Sequence, residues 1–268
     1  MARSGTIRTG IGGWTFAPWR GTFYPKGVRQ KDELHYASRQ LKTIEINGTY
    51  YGTQKPETFA KWAADVPEGF IFSVKGNRFV TNRRVLTDCA ESMDRFLGSG
   101  ITELGDHLGP ILWQFAPTKK FDPDDFGAFL EMLPKERDGI VLQHALEVRH
   151  ESFSSPEFVE LARRHGAAIV YAEHLKYPEI ADVTAPFIYA RLQKGQDDIP
   201  TAYPADDLDL WGQRARKWAE GSSPEGLSYA DPDRAAEVTA RDVYVYFIHE
   251  GKVRAPQAAL ALQERCAN

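Results

Sequence analysis

Eight short runs of strand-forming residues recur along the chain, and segments with helical spacing separate most of them. The runs are 7–14 (IRTGIGGW), 43–51 (TIEINGTYY), 70–75 (FIFSVK), 110–115 (PILWQF), 145–150 (ALEVRH), 168–174 (AIVYAEH), 187–193 (FIYARLQ) and 242–249 (DVYVYFIH). Helical spacing is read over 33–41, 56–64, 88–97, 123–133, 156–165, 207–219 and 256–265. Several of these carry terminal signals: Asp122 before Pro123, Ser155 before Pro156, and Gly98 and Gly166 after the last turn. The short gap 175–186 holds a turn or one helical turn at most.

A strand that follows a helix and pairs parallel to the previous strand needs such a crossover. Eight units predict an α/β fold, a single (β/α)8 TIM-type barrel with a parallel eight-stranded sheet. An open doubly wound sheet is the alternative. The 268 residues suit one barrel domain spanning 1–268. The segment 221–240 (GSSPEGLSYADPDRAAEVTA), rich in Gly, Ser, Pro and charge, reads as a surface insertion.

Composition narrows the function classes. Cys89 and Cys266 form no CxxC and no zinc spacing, which fits a reducing compartment. The opening MARSGTIRTG has no apolar signal core, and no apolar run reaches the roughly 20 residues that span a bilayer. A cytoplasmic protein with no membrane partner is expected. A net charge of −4 argues against broad nucleic-acid binding, although a local basic loop remains open.

Within the strands, one face is apolar: Ile44 and Ile46, Phe72 and Val74, Leu146 and Val148, Ile188, Ala190 and Leu192, Val243, Val245 and Phe247. The other face is polar: Thr43, Glu45 and Asn47; Ser73 and Lys75; Gln114; Glu147 and Arg149; Tyr171 and Glu173; Tyr189, Arg191 and Gln193; Tyr244 and Tyr246. Barrel interiors are normally filled with branched apolar side chains, and sites are built at the C-terminal strand ends. Buried charges must pair or face a wet cavity. The pattern therefore predicts either a functional site at that end or a closed ion-pair network of Glu45, Glu147, Arg149 and Arg191.

The motifs at 10–25 (GIGGWTFAPWRGTFYP), 44–62 (IEINGTYYGTQKPETFAKW), 70–86 (FIFSVKGNRFVTNRRVL), 108–117 (LGPILWQFAP), 146–153 (LEVRHESF), 189–192 (YARL) and 243–247 (VYVYF) resemble the YecE-like proteins in order and extent. The resemblance implies a β/α barrel and brings no agreed reaction or cofactor. Glu45, Asn47, Lys75, Glu147, Arg149, His150 and Arg191 keep the family pattern. Asn82, Gln193 and the Ile248-His249 pair depart from it.

Three chemistries fit these residues. The leading expectation is an enzyme using acid–base chemistry on a small polar anionic substrate, phosphorylated ones included. Glu147 and Glu45 are its candidate catalytic residues. Trp14, Asn47, Tyr50, Lys75, Gln114, Arg149, His150 and Arg191 are the candidate substrate-binding residues, with Tyr51 and Trp113 as further stacking aromatics; arginine forks match carboxylate or phosphate. The second is metal-assisted phosphoester or nucleic-acid hydrolysis using Glu45, Glu147, Glu173, His150, His174 and His249. No compact ligand motif assigns a metal site, and the cofactor is unknown from sequence. The third is a non-catalytic protein that binds a metabolite, or nucleic acid through Arg78, Arg83 and Arg84.

Overall fold

The computed structural model describes residues 4–234 and 236–267. Position 235, within the expected insertion, and the chain positions 1–3 and 268 lie outside the described residues. Nine strands form one sheet: β1 (Ile7–Gly12), β2 (Thr43–Ile46), β3 (Ile71–Lys75), β4 (Leu108–Gln114), β5 (His144–Glu147), β6 (Ala168–Ile169), β7 (Tyr171–Glu173), β8 (Phe187–Lys194) and β9 (Asp242–Glu250). Every pairing in it is parallel, in the order β6-β5-β4-β3-β2-β1-β9-β8-β7.

The expected eight strands become nine because the sixth run breaks at Val170. Its first half pairs with β5 and its second half with β8. Val170 N–H still donates to the Leu146 carbonyl at 3.0 Å, so the ring closes through the covalent chain between β6 and β7. Thr184 supports the break. Its hydroxyl accepts from Ile169 N at 3.0 Å and donates to Ala167 O at 2.6 Å, replacing ladder bonds that a neighbouring strand would supply.

Seven helices fall close to their expected spans, α1 (Glu33–Gln40), α2 (Pro56–Asp65), α4 (Ala90–Leu97), α5 (Pro123–Met132), α6 (Pro156–Arg164), α7 (Ala205–Ala219) and α8 (Ala255–Cys266), while the single turn α3 (Arg78–Thr81) was not expected. The Asp122 carboxylate accepts from Asp124 N and Asp125 N, and the Ser155 hydroxyl accepts from Phe158 N, so both caps act as the sequence implies. A hairpin of Glu136–Arg137 and Ile140–Val141 was not expected. Asp138 and Gly139 both take positive φ there, the backbone of a two-residue Asp-Gly turn.

The strand alternation sorts the core into two parts. All twelve apolar positions named from β2, β3, β5, β8 and β9, with Val148 just beyond β5, pack outward against the helices. A cluster of Phe115, Phe121, Phe126, Phe129, Phe153 and Phe158, with ring centroids 4.8–5.6 Å apart in its closest contacts, binds α5 and α6 to β4. Burying one such ring contributes roughly 1.5–3 kcal/mol. The interior cluster is built from Leu112, Ala145, Ala168, Val170, Ala172, Phe187, Tyr189, Tyr244 and Tyr246. Tyr246 Oη lies 2.7 Å from Thr43 Oγ1 and 2.5 Å from Ser73 Oγ, which satisfies three hydroxyls inside the barrel.

One strand was read in the wrong phase. Tyr171 and Glu173 do not face the axis; Tyr171 packs on Trp211 and Trp218 of α7, and Glu173 accepts from Tyr203 Oη at 2.8 Å. Small residues, Ala168, Val170 and Ala172, fill the interior there. The insertion 221–240 is tied down where it meets 180–182: Asp182 accepts from Ala230 N and Asp231 N, and Ala181 N donates to Ser228 O.

Candidate functional site

The polar interior side chains lie toward the C-terminal ends of the strands: Glu45 on β2, Lys75 on β3, Gln114 on β4, Glu147 on β5 and Arg191 on β8, with Glu45 in register with Ser73, Gln114 with Glu147 and Arg191 with Tyr246. Two residues on from Glu45, Glu147, Arg191 and Tyr246 come Asn47, Arg149, Gln193 and Ile248.

Arg191 is the hub. Its Nε and Nη2 donate to both oxygens of Glu45, at 3.1 and 3.0 Å, while Nη1 donates to Glu147 Oε2. Glu45 also accepts from Tyr189 Oη at 2.6 Å. Glu147 Oε1 accepts from Arg149 Nε at 2.8 Å and Gln114 Nε2 at 2.9 Å. Both carboxylates are 0% exposed. Burial raises the Glu147 pKa, but Arg191, then Arg149 and the Gln114 hydrogen bond, overcome it and leave the group at about 2. Glu147 is therefore ionised throughout the neutral range.

Adjoining this sealed layer is an open concavity of about 550 Å³, lined among others by Asn47, Lys75, Gln114, Arg149, Arg191 and Gln193. Gly12 faces the same space. A Cβ there would lie 2.9 Å from Asn47 Nδ2 and 2.8 Å from Ile248 Cγ2, so the glycine leaves room for both. Arg191 commits three of its five N–H donors to carboxylates, which leaves two. Lys75 is 9% exposed and has no hydrogen-bond or carboxylate partner among the described residues; the Tyr50 ring covers it at 4.4 Å. Burial, then Arg191, lower its pKa from 10.5 to about 8, against the opposing pull of Glu45 and Glu147. Gln193 is 2% exposed, and its amide nitrogen has no partner. His249, on the rim, holds a left-handed backbone (φ 71), which costs a non-glycine residue about 1–3 kcal/mol.

The expected site residues thus divide. Asn47, Lys75, Gln114, Arg149 and Arg191 line one concavity, with Glu45 and Glu147 hydrogen-bonded to Arg191 and sealed from solvent. Trp14 does not reach the concavity. It is wedged edge-on against Trp62, with ring centroids 5.0 Å apart. Tyr50 contributes only its ring beneath Lys75, while exposed Tyr51 reaches the rim. His150 caps a turn, its Nδ1 accepting from Ser152 N at 3.1 Å. Trp113 is fully buried, with its Nε1–H on His144 Nδ1.

The Glu and His set of the metal reading is not gathered. Among the described residues no group of three or more His, Cys, Asp or Glu is placed to hold an ion. A second concavity of about 850 Å³ lies outside the mouth, lined by Asn82, Arg83, Arg84, Lys119, Lys120 and neighbours. Gln193, Ile248 and His249, which depart from the family pattern, line the central concavity, whereas Asn82 lines the outer one. Sequence reasoning passed over Gln193 as a site residue. The signal was present, since it continues the Tyr189-Arg191 alternation along β8. No described helix is long and apolar enough to cross a membrane.

Comparison with known proteins agrees with this architecture. Residues 8–268 match the family model described as "Protein of unknown function DUF72". The chain is 26% identical over 232 residues to the UPF0759 protein YecE of Escherichia coli (strain K12), covering 75% of this chain and 80% of the relative. It is 28% identical over 159 residues to the UPF0759 protein YunF of Bacillus subtilis (strain 168), covering 58% and 54%. The crystal structure of a DUF72 family protein from Thermotoga maritima MSB8 superposes with a TM-score of 0.70 at 21% identity, over 96% of this chain and 97% of that one. A xylose isomerase-like TIM barrel/4-hydroxyphenylpyruvate dioxygenase fusion protein superposes at 0.53 and 14% identity, over 97% of this chain and 41% of that one. With the family model spanning all nine strands and the folds superposing end to end, the chain belongs to the DUF72 family, the YecE-like β/α barrels.

Proposed function

We propose that the barrel mouth binds a small anionic substrate and acts on it by proton transfer. One observation carries this reading. Lys75, Arg149 and Arg191 line an open concavity while the carboxylates that compensate them are sealed from solvent. A ligand entering from solvent therefore meets N–H donors and positive charge and touches no carboxylate oxygen of that layer. The unpartnered Gln193 amide adds a donor that a ligand oxygen would satisfy.

In this reading Arg149 and Arg191 hold the anion, whether carboxylate or phosphate. The proton-transfer role expected of Glu147 or Glu45 passes to Lys75, whose pKa of about 8 lies near neutral pH. Glu45 and Glu147 become positioning residues that fix the Arg191 fork. Calorimetric titration with phosphate, small carboxylates and sugar phosphates tests the reading. Arg149→Met removes charge-assisted donors worth about 1.5–3 kcal/mol, so affinity should fall roughly 10- to 100-fold. Equal affinity in parent and variant for every anion that binds, or no binding at all, contradicts it.

A second reading rests on the outer concavity. Arg83, Arg84, Lys119 and Lys120 line it, and Phe79, 54% exposed, stands nearby. Cationic groups beside an exposed ring suit a single-stranded nucleic acid. Anisotropy of a labelled oligonucleotide should then weaken linearly in log–log salt. Absence of binding at low salt removes this reading.

A further inference from the structure

Lys75 differs from the arginines of the mouth. Arg149 and Arg191 are both anchored to carboxylates, whereas Lys75, like Lys252 at the rim, has only an aromatic ring beside its amine. Among the described residues neither hydrogen bond nor ion pair fixes the Lys75 Nζ, which has only the Tyr50 ring beside it, and the side chain lines the concavity. It projects from the C-terminal end of β3, on a rigid strand, with its stem among the buried interior residues. A buried amine placed against guanidinium groups is the arrangement that makes lysine a nucleophile.

We propose that Lys75 forms an imine with the carbonyl group of a small 2-oxo carboxylate held by Arg149, Arg191 and Gln193. The inference rests on the anion-binding reading above and names its substrate class. A 2-oxo acid carries an anionic group and an electrophilic carbon on adjacent atoms, matching donors and an amine that line one concavity.

The step balances without an oxidant or a cofactor. The neutral Lys75 amine attacks the carbonyl carbon, forming a C–N bond as the C=O π pair moves to oxygen. Proton transfer gives a carbinolamine. Loss of water, which carries away the carbonyl oxygen and two hydrogens from nitrogen, leaves the C=N bond. The imine nitrogen takes up a proton and draws electrons from the adjacent carbon. The surroundings favour the neutral amine. Burial and then Arg191 lower the Lys75 pKa to about 8, with Arg149 adding to the effect; Glu45, Glu147 and the face of the Tyr50 ring, 4.4 Å from Nζ, oppose it.

The full-length protein is incubated with pyruvate, glyoxylate or 2-oxoglutarate and reduced with cyanoborohydride, then analysed by intact mass and peptide mapping. One reduced adduct per chain, on Lys75 and missing in Lys75→Met and Lys75→Arg, is the expected result. Trapping should speed up only about twofold from pH 8 to pH 9, because an amine of pKa about 8 is already half neutral. An ordinary surface lysine would gain about tenfold over that step. Calorimetry with lactate, which has the carboxylate but no carbonyl, separates the two claims. Lactate binding with no adduct, or with adducts spread over surface lysines, overturns imine formation and leaves the anion pocket standing. Loss of both overturns both.

Discussion

Replacing Arg191 with methionine removes the shared counterion of two sealed carboxylates. Glu45 would keep only the Tyr189 hydroxyl, and Glu147 would keep Arg149 and Gln114. Breaking a buried pair by deleting one partner costs about 3–5 kcal/mol, because the charge left behind stays desolvated. The titration of Glu147 gives a similar magnitude: holding its pKa at about 2 rather than 4.5 corresponds to about 3 kcal/mol. For a chain of this size that is a fall in Tm of about 6–10 °C. The pH dependence carries the sharper test. In the parent, Glu147 has a depressed folded-state pKa, so its stabilisation is present above pH 4.5 and is lost as pH falls toward 2. In the variant, Glu147 loses Arg191, the main group that depresses its pKa, so acid removes less stability from the variant than from the parent. The stability gap should therefore narrow on acidification. Guanidinium or urea melts at pH 7 and at pH 4, on both proteins, measure it. A variant within 1 kcal/mol of the parent at pH 7, or a gap that widens at pH 4, would refute the reasoning.

Two further substitutions separate stability from binding. Lys75→Met should stabilise the fold at pH 7 by up to about 3 kcal/mol while weakening anion binding, because the lysine is charged there in a site that lowers its pKa from 10.5 to about 8. The unfolded chain binds more protons than the folded one between those values, so parent stability should rise from pH 8 to 10.5 while the variant shows no such rise; denaturant melts across that range check both. Tyr246→Phe removes the hydroxyl that joins Thr43 and Ser73, which should cost about 1–3 kcal/mol in a thermal or denaturant melt. It should leave anion affinity unchanged, since Tyr246 is fully buried and does not line the concavity.

Much of this architecture was legible because strand alternation is a rigid geometric rule. Ile44, Phe72, Leu146, Ala190 and Val245 face the helices as their spacing required. The rule failed where polarity alone set the phase: Tyr171 looks inward-facing as a polar residue, yet its ring packs on α7 while its hydroxyl reaches Glu179. The break at Val170 was equally hidden, since it depends on Thr184, which lies beyond the run and takes over its hydrogen bonds. At the site, the meeting of Glu45, Glu147, Arg149 and Arg191 followed from the same alternation. Which of them faces solvent did not, because that depends on how deep each side chain sits and which donor covers which oxygen. The ion-pair network drawn from sequence is present, and an open concavity adjoins it. Trp14 and Trp113 read alike as stacking residues, but only packing shows the first wedged against Trp62 and the second enclosed by the core.

The claim on which the account turns is that the cationic wall of the mouth takes an anion from solvent. Crystals grown at neutral pH in selenate and measured at the selenium edge test it directly. The account predicts an anomalous peak within hydrogen-bonding reach of Lys75 Nζ and the Arg149 guanidinium. Selenate found only on outer-surface lysines and arginines, with water alone between Lys75, Arg149 and Gln193, would contradict it.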